Sequence, residues 1–185
     1  WLSTKDHLDR PDRMIFDLDP PEGEFDLVRR GARDLNALLH ELGLKAYIMS
    51  TGSKGFHILV PLDGEASFDE SRECASRIAK YLAGQFPDRY TTETRKDQRG
   101  GRLFLDYLRN SYGQTGVAPY SLRGRKGAPV ATPLDWKEIG ESDITPTSYT
   151  YENIFRRLGQ KEDPWRDINR HKTGLKRALK QIKKL

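Results

Sequence analysis

The stretch Met14-Ile15-Phe16-Asp17-Leu18-Asp19-Pro20-Pro21 decides how this chain is read. Apolar residues run into two carboxylates spaced i, i+2, and a double proline ends the pattern. The spacing predicts a strand over 13–19. Side chains of a strand alternate between faces, so Asp17 and Asp19 share one face with Ile15, while Met14, Phe16 and Leu18 take the other. Two like charges side by side destabilise a strand unless something positive lies between them. A divalent ion is the simplest answer, since hard cations such as magnesium or manganese take carboxylate oxygens together with substrate phosphates. The plainer alternative is a solvent-facing strand end with two salt-bridged acids.

The totals narrow the class. The chain has 185 residues, 36% hydrophobic and 32% charged, with net charge +5. That is enough for one domain, or a domain with a small appendage, and apolar periodicity along most of the chain argues against disorder. One cysteine, Cys74, precludes an internal disulfide and fits a reducing compartment. No apolar run is long enough to span a membrane or to serve as a signal peptide. The positive balance mildly favours an anionic partner. The chain opens on Trp1-Leu2-Ser3 without a Met and reads as a piece of something longer.

Around the opening strand the pattern predicts a regular order. Residues 1–12 are polar and turn-like, and Pro20-Pro21-Glu22-Gly23 is a turn. Residues 25–42 form a helix with Val28, Ala32, Leu35, Leu38, Leu39 and Leu42 on one stripe and Gly43 as its terminating glycine. Strands at Leu44–Ser50 and Phe56–Leu62 flank a glycine-rich loop. Ser67 with Glu70 predicts a capped helix running to about Phe86, and Leu103–Leu108 a further strand. Residues 109–133 read as a long ordered loop. Short helices follow over 135–139 and 151–158, joined by residues 140–150, and Thr173 caps a terminal helix. Strand, helix, strand, strand, helix, strand is an α+β order. It fits a ferredoxin-like, RNA-recognition-like sheet, mixed or mostly antiparallel, with helices on one face.

Four constellations bear on chemistry. Asp17 and Asp19 are the first. The second is Asp106, a lone carboxylate in the apolar strand Leu103-Phe104-Leu105-Asp106-Tyr107; buried carboxylates need a metal or a cationic partner, and Arg99, Arg102 or Arg109 is the alternative to metal. If that strand lies beside the first, three acids converge, enough for two ions in phosphoryl transfer. The third is the loop Thr51-Gly52-Ser53-Lys54-Gly55-Phe56-His57, whose amides, hydroxyls and lysine suit a phosphate; an ordinary polar hairpin turn is the competing reading. The fourth is the basic set Arg95, Lys96, Arg99, Arg102 and Arg109, with Arg123, Arg125 and Lys126 in a second glycine-flanked stretch; a triphosphate or a nucleic-acid backbone is the expected counterpart, a solvated loop the alternative. Residues 171–185 add six Lys/Arg and no acid, either a helix on DNA phosphates or a solvated face. Zinc-type spacing and a serine-hydrolase elbow are not present.

Taken together, Phe16-Asp17-Leu18-Asp19-Pro20, Ser50 to His57, Arg99 to Tyr107, Ala118 to Arg125 and Pro129 to Trp136 resemble the polymerase domain of bacterial ligase D, of the archaeo-eukaryotic primase superfamily. The resemblance covers residues 1–160. It implies a catalytic core over 1–160, N-terminally truncated, with 161–185 as a basic helical extension. It implies that Asp17, Asp19 and Asp106 hold two divalent ions, manganese or magnesium. It implies that Thr51, Ser53, Lys54, Gly55, His57, Arg99, Arg123 and Arg125 bind the nucleotide. The expected activity is template-dependent transfer of NTP or dNTP to a primer 3′-hydroxyl during bacterial non-homologous end joining. Expected partners are DNA ends or a primer–template, a fused or associated ligase, and a Ku-type end-binding protein, in the bacterial or archaeal cytoplasm at the nucleoid. Family members carry a further N-terminal part that supplies an aromatic stacking platform and 5′-phosphate contacts. Two rivals are an Asp-x-Asp phosphatase, disfavoured by Pro20-Pro21, and a non-catalytic nucleic-acid-binding module. The module would need exposed aromatics on the sheet, from Phe16, Tyr47, Phe56 and Phe104.

Overall fold

The structure is a computed structural model that describes residues 1–21, 23–140 and 144–184. Glu22 of the expected Pro20–Gly23 turn, residues 141–143 of the expected 140–150 connection, and Leu185 lie outside the described residues.

Six strands form the main sheet. In chain order they are β3 (Arg13–Asp19), β4 (Tyr47–Ser50), β5 (Phe56–Pro61), β6 (Tyr90–Thr91), β7 (Leu103–Asp106) and β8 (Thr132–Leu134), in the spatial order β6-β7-β3-β5-β4-β8. All neighbours are antiparallel except β6 and β7, which makes the sheet mixed. Helices α1 (Phe25–Glu41) and α2 (Phe68–Gln85) complete the expected strand–helix–strand–strand–helix–strand unit. β3 therefore lies at the centre, between β5 and β7.

Local chemistry explains why the helices stop and start where they do. Gly43 follows α1 at φ +74, the left-handed position a glycine takes without strain. The Gly43 amide donates to the His40 carbonyl and the Leu44 amide to the Leu39 carbonyl, so both open carbonyls of the last turn are satisfied. At α2 the Ser67 hydroxyl accepts from the Glu70 amide while the Glu70 carboxylate accepts from the Ser67 amide.

The two faces of the sheet are covered differently. Met14, Phe16 and Leu18 of β3, with Ile58 and Val60 of β5, are buried beneath α1, α2 and α4 (Lys176–Ile182). On the other face Ile15, Tyr47, Met49 and Leu59 pack against Leu2 and Trp165 only at one end, which leaves the Asp17 end open. α1 approaches β7 so closely that a Cβ on Gly31 would lie 2.3 Å from Leu103 Cδ2.

Several expectations need correction. Residues 1–12 are not merely turn-like: β1 (Ser3–Thr4) pairs with β2 (His7–Pro11), tied down because Leu2 is buried and its carbonyl accepts from the Asp12 amide. The second strand of the main sheet begins at Tyr47 rather than Leu44, and the Asp106 strand ends at Asp106, not Leu108. The 109–133 loop ends in β8, where an edge position tolerates Pro133 because its missing N–H leaves no central ladder bond unmade. The short helix over 135–139 is a 3-10 turn at Glu138–Gly140, and the next helix is α3 (Ile154–Gln160), not 151–158. Thr173 does not cap α4. Its amide and carbonyl bond Pro61 and Asp63, extending the end of β5.

α3 is held by one buried carboxylate. Glu138 takes both terminal nitrogens of Arg157 at 2.6 and 3.0 Å, the Lys161 ammonium at 2.9 Å and the Asp135 amide at 2.8 Å. Burial alone would raise its pKa, but Arg157, the Asp135 amide and Lys161 together hold it down to about 2, against an ordinary value of 4.5. A depressed folded-state pKa contributes stability that is complete above about pH 4.5 and is lost as pH falls toward 2. Glu138→Gln is expected to cost about 3 kcal/mol at pH 7 and to flatten the acid limb of a stability-versus-pH curve. An unchanged acid limb would contradict this role.

Candidate active site

Strand pairing builds the site. Asp17 lies opposite Asp106 on one side and opposite His57 on the other. Directly opposed residues share a face, so one row across the sheet reads Asp106, Asp17, His57, Met49. Asp19, two residues on, projects from the same face opposite Phe104. These strand ends floor a cleft of about 810 Å³, a size typical of small-ligand sites.

All three carboxylates line that cleft, and so do Thr51, Ser53, Lys54, Gly55, His57, Arg99, Arg123 and Arg125. Six cationic side chains, Lys54, Lys96, Arg99, Arg109, Arg123 and Arg125, face the three acids, so the cleft favours a polyanion.

The individual contacts refine the expected roles. Thr51 turns its hydroxyl inward: both its Oγ1 and its amide donate to the Gly55 carbonyl, at 2.9 and 3.1 Å, closing the loop. Gly55 is required by space, because a Cβ there would sit 1.9 Å from the Leu18 carbonyl oxygen. Gly52, at φ +63, carries the stem of Arg123, which a Cβ would approach to 2.7 Å. His57 is nearly fully buried; its Nε2 stands 3.4 Å from Asp17 Oδ2, and its buried Nδ1 has no hydrogen-bond partner among the described residues.

Arg99, Arg102 and Arg109, the alternative to a metal at Asp106, make no ion pair with it among the described residues. Arg109 Nε donates to Asp17 Oδ2 at 2.8 Å, and Arg99 Nη1 to Asp19 Oδ2 at 2.9 Å. Arg99 also donates to the Glu93 and Thr94 carbonyls and stacks 3.9 Å over Phe104. Arg102 turns away to the carbonyls of Pro87, Gln98 and Arg99. Asp106 accepts instead from the Leu108 amide at 2.8 Å.

Two neighbouring acids consequently differ in electrostatics. Burial pushes Asp17 up, but the hydrogen bond and charge of His57 and the charge of Arg109 outweigh it, leaving Asp17 below the usual carboxylate range. Asp106 is raised, first by burial and further by the charge of Asp17, with the Leu108 amide only partly opposing. A raised carboxyl beside an ionised one is a place short of positive charge. Among the described residues no three His, Cys, Asp or Glu side chains form a ready metal cage; Asp17 and Asp19 are each held by an arginine and Asp106 by the Leu108 amide. The donor set itself, hard carboxylate oxygens on one face, suits magnesium or manganese and not a thiolate-seeking ion.

Asn110, unnoticed in the sequence, sets the depth of β3. It is buried, accepts from the Ile15 amide at 2.8 Å and donates to the Ile15 carbonyl at 2.6 Å, standing in for a strand partner beyond the end of β7. Asn110→Ala is expected to cost about 3 kcal/mol, since two buried backbone groups of Ile15 lose their partners; urea denaturation measures it, and a loss under about 0.5 kcal/mol would show that the clamp is dispensable. Lys96, Arg109 and the Thr115–Val117 wall also line the cleft. Lys96 and Arg109 belong to the basic set that the sequence already marked, whereas nothing in the sequence signalled Thr115–Val117.

The aromatics needed by a sheet-stacking binding module are unavailable for that use. Phe16 and Phe56 are fully buried on the helical face, Tyr47 packs on Trp165, and Phe104 lies beneath Arg99. No helix among the described residues is long and apolar enough to cross a membrane.

Comparison with known proteins agrees with this geometry. A family model described as the LigD primase-polymerase domain matches residues 1–165. The chain is 36% identical over 170 residues to the multifunctional non-homologous end joining protein LigD of Pseudomonas aeruginosa, covering 90% of this chain and 20% of that protein. It is 35% identical over 179 residues to the bifunctional non-homologous end joining protein LigD of Bacillus subtilis, covering 95% and 29%. A solved structure, the polymerase domain from Mycobacterium tuberculosis ligase D in complex with DNA, matches with a TM-score of 0.81 and 32% identity, over 87% of this chain and 56% of that one. The chain thus spans under a third of these curated relatives and little more than half of the solved domain.

Proposed function

The chain belongs to the LigD primase-polymerase domain family, and on that premise we propose that it adds nucleotides to a primer 3′-hydroxyl at DNA ends during bacterial end joining. The observation that carries the reading is the opposed pair Asp17 and Asp106, with Asp19 beside them, at the floor of a cleft otherwise lined by cations.

In this reading the incoming nucleotide lays its triphosphate on the Thr51–Gly55 loop. Lys54 and Ser53 reach its oxygens, and the guanidinium groups of Arg123 and Arg125 close over them, matching phosphate oxygens as a fork. His57 and Arg109 hold Asp17 ionised and in one rotamer. Arg99 fixes the position of the Asp19 carboxylate through its 2.9 Å hydrogen bond. The 3′-hydroxyl oxygen bonds to the α-phosphorus as its proton passes to water, and the bond from the α-phosphorus to the oxygen bridging the β-phosphate breaks, its electron pair leaving with pyrophosphate. Asp17, Asp19 and Asp106 would hold two divalent ions, manganese or magnesium, which supply the charge that activates the attacking oxygen and stabilises the leaving one. The primase superfamily fold, with residues 1–160 as catalytic core and 161–185 as a basic helical extension, acts on a primer–template in the bacterial cytoplasm. A fused or associated ligase and a Ku-type end-binding protein complete the repair in this scheme.

The test is extension of a labelled primer on a template with a 5′ overhang, supplied with NTP or dNTP. Product is expected with manganese and is expected to vanish when EDTA removes the ion. Extension that persists in EDTA, or none with any divalent ion, would sink the proposal.

A further inference from the structure

Four of the seven large hydrophobic side chains exposed among the described residues, Leu122, Tyr151, Phe155 and Leu158, belong to one region. Tyr151, Phe155 and Leu158 are spaced i, i+4, i+7 along and just before α3, so they share a stripe. Phe155 is 76% exposed and Tyr151 57%. α3 is anchored to the rest of the protein by the buried Ile154 and by the Arg157–Glu138 ion pair. Large apolar side chains gathered on one exposed stripe are unlike the scattered single residues that need no explanation.

Backbone pairing connects this stripe to the cleft. The Arg123 amide donates to the Pro129 carbonyl, Pro129 bridges Thr150, and the Tyr151 amide donates to the Ala128 carbonyl. Tyr151 is thus two strand spacings, about 10 Å, from the backbone of Arg123, which lines the cleft. The hairpin between them carries Arg125 and Lys126 at its tip, and Arg156 lies on α3; none of the three has an ion-pair partner among the described residues. Over 148–161 the one acid is Glu152. A cationic rim beside exposed aromatics complements an unpaired nucleic acid strand, whose bases offer faces and whose backbone offers charge. Protein interfaces, by contrast, have cores depleted in charge.

We infer that Tyr151 and Phe155 form a base-stacking face for the single-stranded extension of the DNA end, with Arg125, Lys126 and Arg156 on its phosphates. This rests on the polymerase reading for the identity of the strand. The face is built by α3 and is separate from the N-terminal segment to which the resemblance assigns base stacking.

The experiment is fluorescence anisotropy of the whole chain with a fluorescein-labelled oligothymidylate of about a dozen nucleotides, without metal or nucleotide. Phe155→Leu and Tyr151→Leu are each expected to weaken binding roughly tenfold, Phe155→Trp to retain it, and Arg156→Gln to lower the salt slope by about 0.7. Both aromatics are exposed, so the fold tolerates the changes. Wild-type affinity in Phe155→Leu would overturn the inference, as would a wild-type dimer in sedimentation that Phe155→Leu dissolves, since a second copy would then be the occupant. Primer extension read in parallel separates the two claims. Lost oligothymidylate binding in the leucine variants of a chain that extends nothing keeps the stacking face and removes the polymerase reading; normal extension with unaltered binding in those variants does the reverse.

Discussion

Asp17→Asn and Asp106→Asn are each expected to reduce nucleotide addition by on the order of a thousandfold or more, yet to shift the stability of the metal-free chain in opposite directions. Asp17 is the buried anion on which Arg109 and His57 converge, and its depressed pKa means that the folded chain favours its charge. A neutral amide there weakens charge-assisted bonds, at a loss of about 2 kcal/mol. Asp106 has the reverse setting: burial and the neighbouring Asp17 disfavour its charge, and its Oδ1 serves chiefly as acceptor for the Leu108 amide. Asparagine keeps an acceptor and removes the charge, so stability rises, by about 1 kcal/mol or less. Thermal denaturation in EDTA, with single-turnover primer extension on the same preparations, reads both effects. Stability shifts of the same sign would refute the electrostatic account of the floor, and extension retained in either variant would refute the catalytic one.

Gly55→Ala is expected to destabilise the chain by about 4 kcal/mol or more and to dismantle the Thr51–Gly55 loop. The added methyl would sit 1.9 Å from the Leu18 carbonyl oxygen, and that atom belongs to the central strand β3. Retreat of Gly55 would strip its carbonyl from both the amide and the hydroxyl of Thr51. Gly124→Ala is the matched control. It lies in the second basic loop with nothing within 4 Å of its Cβ position, and should change stability by no more than about 0.5 kcal/mol. Equal denaturation midpoints for the two variants would show that the close approach is relieved by some other movement.

These two positions also show what was readable before the fold was known. The faces of β3 followed from alternation alone: Met14, Phe16 and Leu18 are buried under the helices, and Asp17 and Asp19 are on the open side. The stripe of α1, its terminating Gly43 and the cap at Ser67 are local signals, and they appear where local chemistry required them. Harder to read were β1, β2, β6 and β8. Each is short, without clear alternation, and is held as a strand by its neighbour rather than by its own residues. Gly55 looked like a residue that lets a phosphate come close; its nearest obstacle is the chain's own backbone. Asn110 went unmarked within the 109–133 loop, because its partner is 95 residues away.

By itself the sequence determined the α+β order, the two faces of the central strand and most of the charged residues that line the cleft. Each follows from periodicity or side-chain chemistry within a short window. Only the tertiary structure decided that Asp106 stands directly opposite Asp17, that Arg109 and Arg99 serve Asp17 and Asp19 instead of Asp106, and that the aromatics of α3 face solvent beside the cleft. The physical reason is register. A slip of one residue between β3 and β7 would turn Asp106 to the opposite face, and that register is set by long-range packing of the two strands against α1, through contacts such as Gly31 on Leu103.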